Sequence, residues 1–396
     1  MTQLRTLDSL DVAGKRVLVR CDLNVPLDDG HVVDDLRIRA ALPTIEALLN
    51  AGARLTVCSH LGRPKGKIVE ALRMEPVGRA LGQMLGREVH AVGDVVGPEA
   101  TAAASSMADI VLLENLRFDP GEEANDPAFA DALAALADVY VNDAFGAAHR
   151  AHASVVGVAE RLPSAAGLLL VDEVEHLERL LHEPERPFVA VLGGAKVSDK
   201  LGVIGNLLDR VDTICIGGAM AFTLLVAQGH DVGRSLVEHE RVSEVTEVLK
   251  DAEGRGIDIL LPTDAVAAES TEEGAPHETV PLDRIGDRLG VDIGPESART
   301  FAEAIEAART VLWNGPMGIF EIDAYSEGTR AVARAVGRAT GAGAYTVAGG
   351  GDSAAALRQM DMTDAVSHVS TGGGASLELL EGRNLPGIAV LRKGNA

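Results

Sequence analysis

Aromatic side chains are scarce in this sequence: 3% of the chain, with one tryptophan among 396 residues. Core packing is therefore left to Ala, Val, Leu and Gly, the residues that fill sheets sandwiched between small-faced helices. No run approaches ~20 uninterrupted apolar residues, so no membrane span is expected. The opening stretch, MTQLRTLDSLDVAGKR, lacks the apolar run and small-residue cleavage site of a secretory signal. Cysteine is nearly absent too. Cys21, Cys58 and Cys215 stand singly inside apolar runs, the pattern of inert strand thiols in a reducing compartment and not of a disulfide or metal framework. A cytoplasmic location is the expectation. Basic residues are in deficit, 36 Lys and Arg against 59 Asp and Glu, for a formal net charge of −23. Such a chain repels nucleic acid and anionic membrane surfaces, so neither is expected as a partner. It would also repel an anionic ligand unless basic side chains were gathered locally.

What is present is a βα rhythm. The length exceeds one ordinary hydrophobic core, so two domains are expected. Arg16–Arg20, Leu55–Cys58, Ile110–Leu113 and Asp138–Val141 read as buried strands, with amphipathic stretches such as Ile38–Asn50 and Pro127–Ala137 between them. The rhythm restarts at Phe188 with FVAVL, then Thr213–Gly217, Asp258–Pro262, Thr310–Asn314 and Ala344–Gly350. This pattern predicts an α/β fold of two Rossmann-like domains, each a mostly parallel sheet flanked by helices. Ala166–Glu183 has apolar residues at helical spacing and no interior Gly or Pro. It reads as an interdomain helix, with a surface helix of one domain as the alternative.

Ligands gather at the carboxyl ends of strands in open parallel sheets. In the first half, four strand ends lead into basic or hydrogen-bonding residues: Asp22-Leu23-Asn24 with Arg37, then His60-Leu61-Gly62-Arg63, then Arg117, then His149-Arg150-Ala151-His152. A single arginine is ordinarily a solvated surface residue. Four at successive strand ends make a basic basin on an acidic chain, each offering a bidentate fork to a carboxylate or phosphate. Asp22 and Asn24 suit a hydroxyl. His149 and His152 lack the companions of a metal motif.

The second half carries glycine clusters where the first has arginines. Gly193-Gly194-Ala195-Lys196 leads to Lys200, and Cys215–Phe222, Trp313–Glu321, Gly349–Ser353 and Ser370–Ser376 follow. No GxxxxGK[ST] occurs. In Gly350-Gly351-Asp352-Ser353 the glycines permit close phosphate approach, the following helix start favours anions, and Asp352 can hold a Mg²⁺ bridging phosphate oxygens. A plain N-cap role for Asp352 is the alternative.

Taken in order, DLNVP, SHLGRP, ENLRF, HRAH, GGAKVSDK, WNGPMGIFE, GGGDS and STGGGASLELLEG make the chain resemble the phosphoglycerate kinase family along its whole length. The resemblance implies reversible, Mg²⁺-dependent phosphoryl transfer between 1,3-bisphosphoglycerate and ADP, giving 3-phosphoglycerate and ATP in glycolysis. It implies that Asp22, Leu23, Asn24, Arg37, His60, Leu61, Gly62, Arg63, Arg117 and Arg150 bind the glycerate. Lys200, Gly290, Glu321, Gly350, Gly351, Asp352 and Ser353 would contact the nucleotide, Glu321 through the ribose, with Asp352 taking the metal. Lys196 and Arg37 would neutralise the phosphoryl group in flight, helped by backbone N–H groups of Gly372, Gly373 and Gly374. The implied domains are 1–165 for 3-phosphoglycerate and 184–376 for the nucleotide, joined by the helix 166–183, with 377–396 packing back on the first. A monomer with hinge closure is implied as well.

Phosphoryl transfer needs positioning and charge stabilisation more than covalent help, so direct in-line transfer without a phospho-enzyme is expected. A nicotinamide-dependent oxidoreductase would want GxGxxG after the first strand, where CDLNVP stands. A non-catalytic relative would be expected to have lost Lys196 or Arg37, and both are present.

Overall fold

A computed structural model describes residues 3–392. Residue contacts divide the chain into two units, one holding residues up to Glu175 together with those from Asn384 onward, the other His176–Arg383.

The first unit is built on a six-stranded sheet in the order His90–Ala91, Ile110–Leu112, Arg54–Cys58, Arg16–Cys21, Val139–Asp143, Ser164–Ala166. Every neighbouring pair is parallel. Helices cover such a sheet on both faces, which is why Val139–Asp143 is buried at all five positions and reads as a continuous run without alternation. A core of Val17, Val19, Ile38, Ile45, Val57 and Leu112 lies between the sheet and its helices.

The second unit repeats the design with Asp258–Leu260, Thr213–Ile216, Phe188–Leu192, Thr310–Asn314, Tyr345–Gly349 and His368–Val369, again parallel throughout. Numbered along the chain, this is the 3-2-1-4-5-6 order of doubly wound folds. Its direction of winding reverses between Phe188–Leu192 and Thr310–Asn314, where ligands characteristically bind. Beside it lies an antiparallel sheet absent from the sequence reading, with Asp264–Ala268 between His277–Pro281 and Leu289–Ile293. Phe222, Leu225, Val280, Leu282 and Ile285 fill its core.

The helix Leu168–His182 contains the point at which the units divide. Its first N–H groups are satisfied from the sheet and a neighbouring helix: Leu169 and Leu170 donate to Asp143 Oδ1 at 2.9 and 3.3 Å, and Leu168 to Thr44 Oγ1 of the helix Leu36–Asn50 at 2.8 Å. The contact division places Asn384 and the residues that follow it with the first unit. The helix Gly374–Leu380 stays with the second unit because Leu379 and Leu380 are buried there and Asn206 Nδ2 donates to Leu380 O at 2.6 Å. Beyond it, Gly387 N donates to Ala148 O at 2.9 Å and Arg5 N to Leu391 O at 3.0 Å.

Candidate functional site

In the first unit, the predicted residues sit on the loops that leave the carboxyl ends of the strands. Arg37 occupies the first turn of the helix Leu36–Asn50 and pairs through Nη1 with Asp22 Oδ2 at 2.6 Å. Asp22 Oδ1 is buried and has no hydrogen-bond partner among the described residues, so one face of this carboxylate is available to a hydroxyl. Asn24 Oδ1 accepts from Gly62 N at 2.8 Å, while Gly62 O accepts from Arg117 Nη1 at 2.8 Å. These bonds lock three strand-end loops together. Arg117 is 5% exposed, and burial followed by the nearby Arg150 charge holds its pKa below the ordinary value. Arg150 Nε donates to His149 Nε2 at 3.1 Å.

His60 lies at the bottom of the basin, 6% exposed. Burial first, then the charges of Arg20, Arg117, Arg37 and His152, push its pKa well below the usual imidazole value. The ring is therefore neutral across the physiological range. Arg63 is exposed, and no ion pair to it occurs among the described residues. Leu23 and Leu61 lie on the same strand-end loops. Both side chains are core, and their N–H groups already donate to Ser59 Oγ and Asn115 Oδ1. They shape the loops and offer no free donor.

The second unit holds its candidate site beside the reversal point of the sheet. A cavity of about 350 Å³ is lined by Gly194, Gly218, Phe222, Leu236, Gly290, Met317, Glu321 and Asp352, among others. The apolar walls suit a planar ring, and Gly290 is required there because a Cβ would collide with the Phe222 ring. Glu321 and Asp352 are exposed carboxylates at its edge. Asp352 is in the first turn of the helix Gly351–Gln359, which starts from Gly350 at φ 91°, a conformation that only glycine adopts without strain. Ser353 is buried and spends its hydroxyl accepting Gly315 N at 2.7 Å. A single carboxylate at a helix start fits Mg²⁺, which keeps most of its waters and takes its other ligands from phosphate oxygens.

Lys200 is 9% exposed and bonded to Asn314 Oδ1. Burial lowers its pKa to about 8, partly offset by Asp352 and Asp199. Lys196 is exposed at the loop Gly193–Lys196. Gly373 has φ 55° and precedes the helix Gly374–Leu380, so Gly372–Gly374 present backbone at a helix start. Lys200, Gly350, Gly351, Ser353 and Gly372–Gly374 are not in the cavity lining, whereas Gly290, Glu321 and Asp352 are. Gly194 and Gly218 belong to glycine clusters visible in the sequence. Phe222 closes the cluster Cys215–Phe222 and stands on the helix Met220–Ala227, whereas Leu236 was not singled out in the sequence.

A family model described as phosphoglycerate kinase matches residues 7–383. The phosphoglycerate kinase of Moorella thermoacetica is 57% identical over 389 residues, 98% of each chain, and that of Thermomicrobium roseum is 55% identical over 98% of this chain and 99% of its own. Among solved structures, phosphoglycerate kinase from Coxiella burnetii superimposes with a TM-score of 0.88 at 41% identity, covering 98% of this chain and 99% of that one. With strand-end arginines in one unit, a glycine-walled cavity in the other and relatives matched from end to end, the chain belongs to the phosphoglycerate kinase family.

Proposed function

We propose that the basic basin of the first unit binds 3-phosphoglycerate and that the glycine-walled cavity of the second binds ADP or ATP. The enzyme is a glycolytic phosphotransferase that moves a phosphoryl group between 1,3-bisphosphoglycerate and ADP. The observation that carries the assignment of sites is the gathering of Arg20, Arg37 and Arg117 around buried His60 on a chain of net charge −23. Asp22, Glu123 and Glu122 offset part of this charge, and the anionic groups of the substrate would offset the rest.

Arg37, held by Asp22, orients a fork toward the substrate while Asp22 Oδ1 accepts the glycerate hydroxyl. Asn24 supports this through Gly62. Arg63, Arg117, Arg150 and neutral His60 take the remaining anionic oxygens. In the second unit Gly290 admits the adenine ring against Phe222, Glu321 reaches the ribose, and Lys200 with the Gly350–Ser353 turn takes the phosphates. Asp352 would hold Mg²⁺, which when bound neutralises charge on the phosphate oxygens. Lys196, Arg37 and the Gly372–Gly374 N–H groups stabilise the equatorial oxygens during in-line transfer, with no phospho-enzyme. Because each reactant is held by a different unit, transfer requires hinge closure that brings the reactants together and excludes water. The working form is a cytoplasmic monomer.

A coupled assay with 3-phosphoglycerate and Mg·ATP tests the reading. ADP formation that depends on both substrates and on Mg²⁺ is the expected result. Failure to turn over this pair, or recovery of a stable phospho-histidine or phospho-aspartate enzyme, would overturn it.

A further inference from the structure

Behind His60 runs a chain of fully buried polar groups, Arg20, Ser154 and Glu122. Arg20 is 0% exposed and stands on the strand Arg16–Cys21. Its Nη2 lies 3.0 Å from His60 Nδ1, its Nε lies 2.9 Å from Ser154 Oγ, and its Nη1 is bonded to Cys21 O. Ser154 is bound in turn to Glu122, also 0% exposed: Oγ to Oε1 at 2.6 Å and N to Oε2 at 2.9 Å. Tyr140 OH donates to Ser154 O at 2.6 Å.

Donor and acceptor chemistry leaves these bonds one direction each. A guanidinium only donates and an ionised carboxylate only accepts. Ser154 Oγ must therefore accept from Arg20 and give its own hydrogen to Glu122. His60 Nδ1, facing a guanidinium hydrogen, must be the acceptor nitrogen. The ring proton is then confined to Nε2.

We propose that Glu122 is a positioning residue which, through Ser154 and Arg20, fixes His60 as the Nε2–H tautomer, a neutral one-hydrogen donor to an anionic oxygen of the substrate. This rests on the assignment of the basin to 3-phosphoglycerate. The logic is that of an imidazole whose far nitrogen sets which end faces the ligand. Burial raises the Glu122 pKa, while His152, Arg20 and Ser154 together lower it further, so the carboxylate end of the chain stays ionised. His152 Nδ1 also faces it, 3.6 Å from Glu122 Oε1.

The test begins with the wild-type protein, using nitrogen–proton correlation of the histidine rings, with His60 assigned by its loss in His60→Gln. One protonated nitrogen, Nε2, unchanged from pH 6 to 8, is expected. A ring protonated on Nδ1, on both nitrogens, or exchanging between tautomers would overturn the proposal. Ser154→Ala then removes the link between Glu122 and Arg20 with little change of volume. It should give mixed His60 tautomers and raise the KM for 3-phosphoglycerate about tenfold, with the KM for ATP unchanged. Glu122→Gln should move both readouts the same way. Ser154→Ala with a single Nε2–H tautomer and wild-type KM would again overturn the proposal. If the tautomer is as stated but His60→Gln leaves the KM for 3-phosphoglycerate unchanged, the assignment of the basin fails instead.

Discussion

Lys196 and Lys200 are four residues apart and differ in every physical respect that matters to phosphate. Lys196 is exposed, and its charge contributes to lowering the pKa of Glu238. It can swing toward charge as it develops. Replacing it with alanine should lower kcat by at least ~100-fold and leave both KM values nearly unchanged, the signature of a contact made in the transition state. Steady-state kinetics reads this directly. Lys200 is buried, and its pKa of about 8 leaves it partly neutral in the ligand-free protein at that pH. Anionic phosphate beside it favours the charged form. ADP binding without added metal should therefore take up a fraction of a proton at pH 8 and almost none at pH 6.5, where the amine is already charged. Calorimetry in buffers of different ionisation enthalpy measures the uptake, and Lys200→Met should abolish it. An uptake that persists in that variant would move its source elsewhere.

At the scale of elements, the helix Leu168–His182 depends on one side chain of the neighbouring sheet. Asp143 ends the strand Val139–Asp143, accepts the N–H groups of Leu169 and Leu170, and is buried enough to raise its pKa from 3.8 to about 7. The helix start favours the anion, yet burial outweighs it. The folded state binds the extra proton between those two values. Asp143 therefore costs no stability below about 3.8, and its penalty grows as the pH rises to about 7. Asp143→Asn keeps an acceptor for the helix and removes the titration. Its thermal midpoint relative to wild type should climb between pH 4 and pH 7 and then level off. A pH-independent difference would show that Asp143 does not titrate there. The elements themselves were unequally legible. Five-residue apolar runs such as Phe188–Leu192 announce buried parallel strands. The edge strands His90–Ala91 and His368–Val369 are two residues long and carry no periodicity to read. The antiparallel sheet escaped because DAVAA and HETVP follow no α/β rhythm and gain their partners only in the fold. The basin arginines were readable because strand ends in sequence are loop tips in space. Arg20 was not, since a charge inside an apolar strand declares its purpose only beside Ser154.

Across the whole molecule, charge is segregated against its average. A net charge of −23 coexists with a basin where Arg20, Arg37 and Arg117 raise the local potential around His60. Substrate affinity should then be separable by unit. Arg63→Ala should weaken 3-phosphoglycerate binding about tenfold, the loss of one exposed charged contact, and leave ADP affinity as it was. Equal losses for both ligands in calorimetry would contradict the division of labour. The course of the chain adds something about time. The second unit is one unbroken stretch, His176–Arg383, while the first resumes at Asn384 and uses Leu391 to bond Arg5. A ribosome must therefore make the whole second unit before the first receives its last pieces. During synthesis the second unit can fold as soon as it emerges, and the unit begun earliest is the last to be finished.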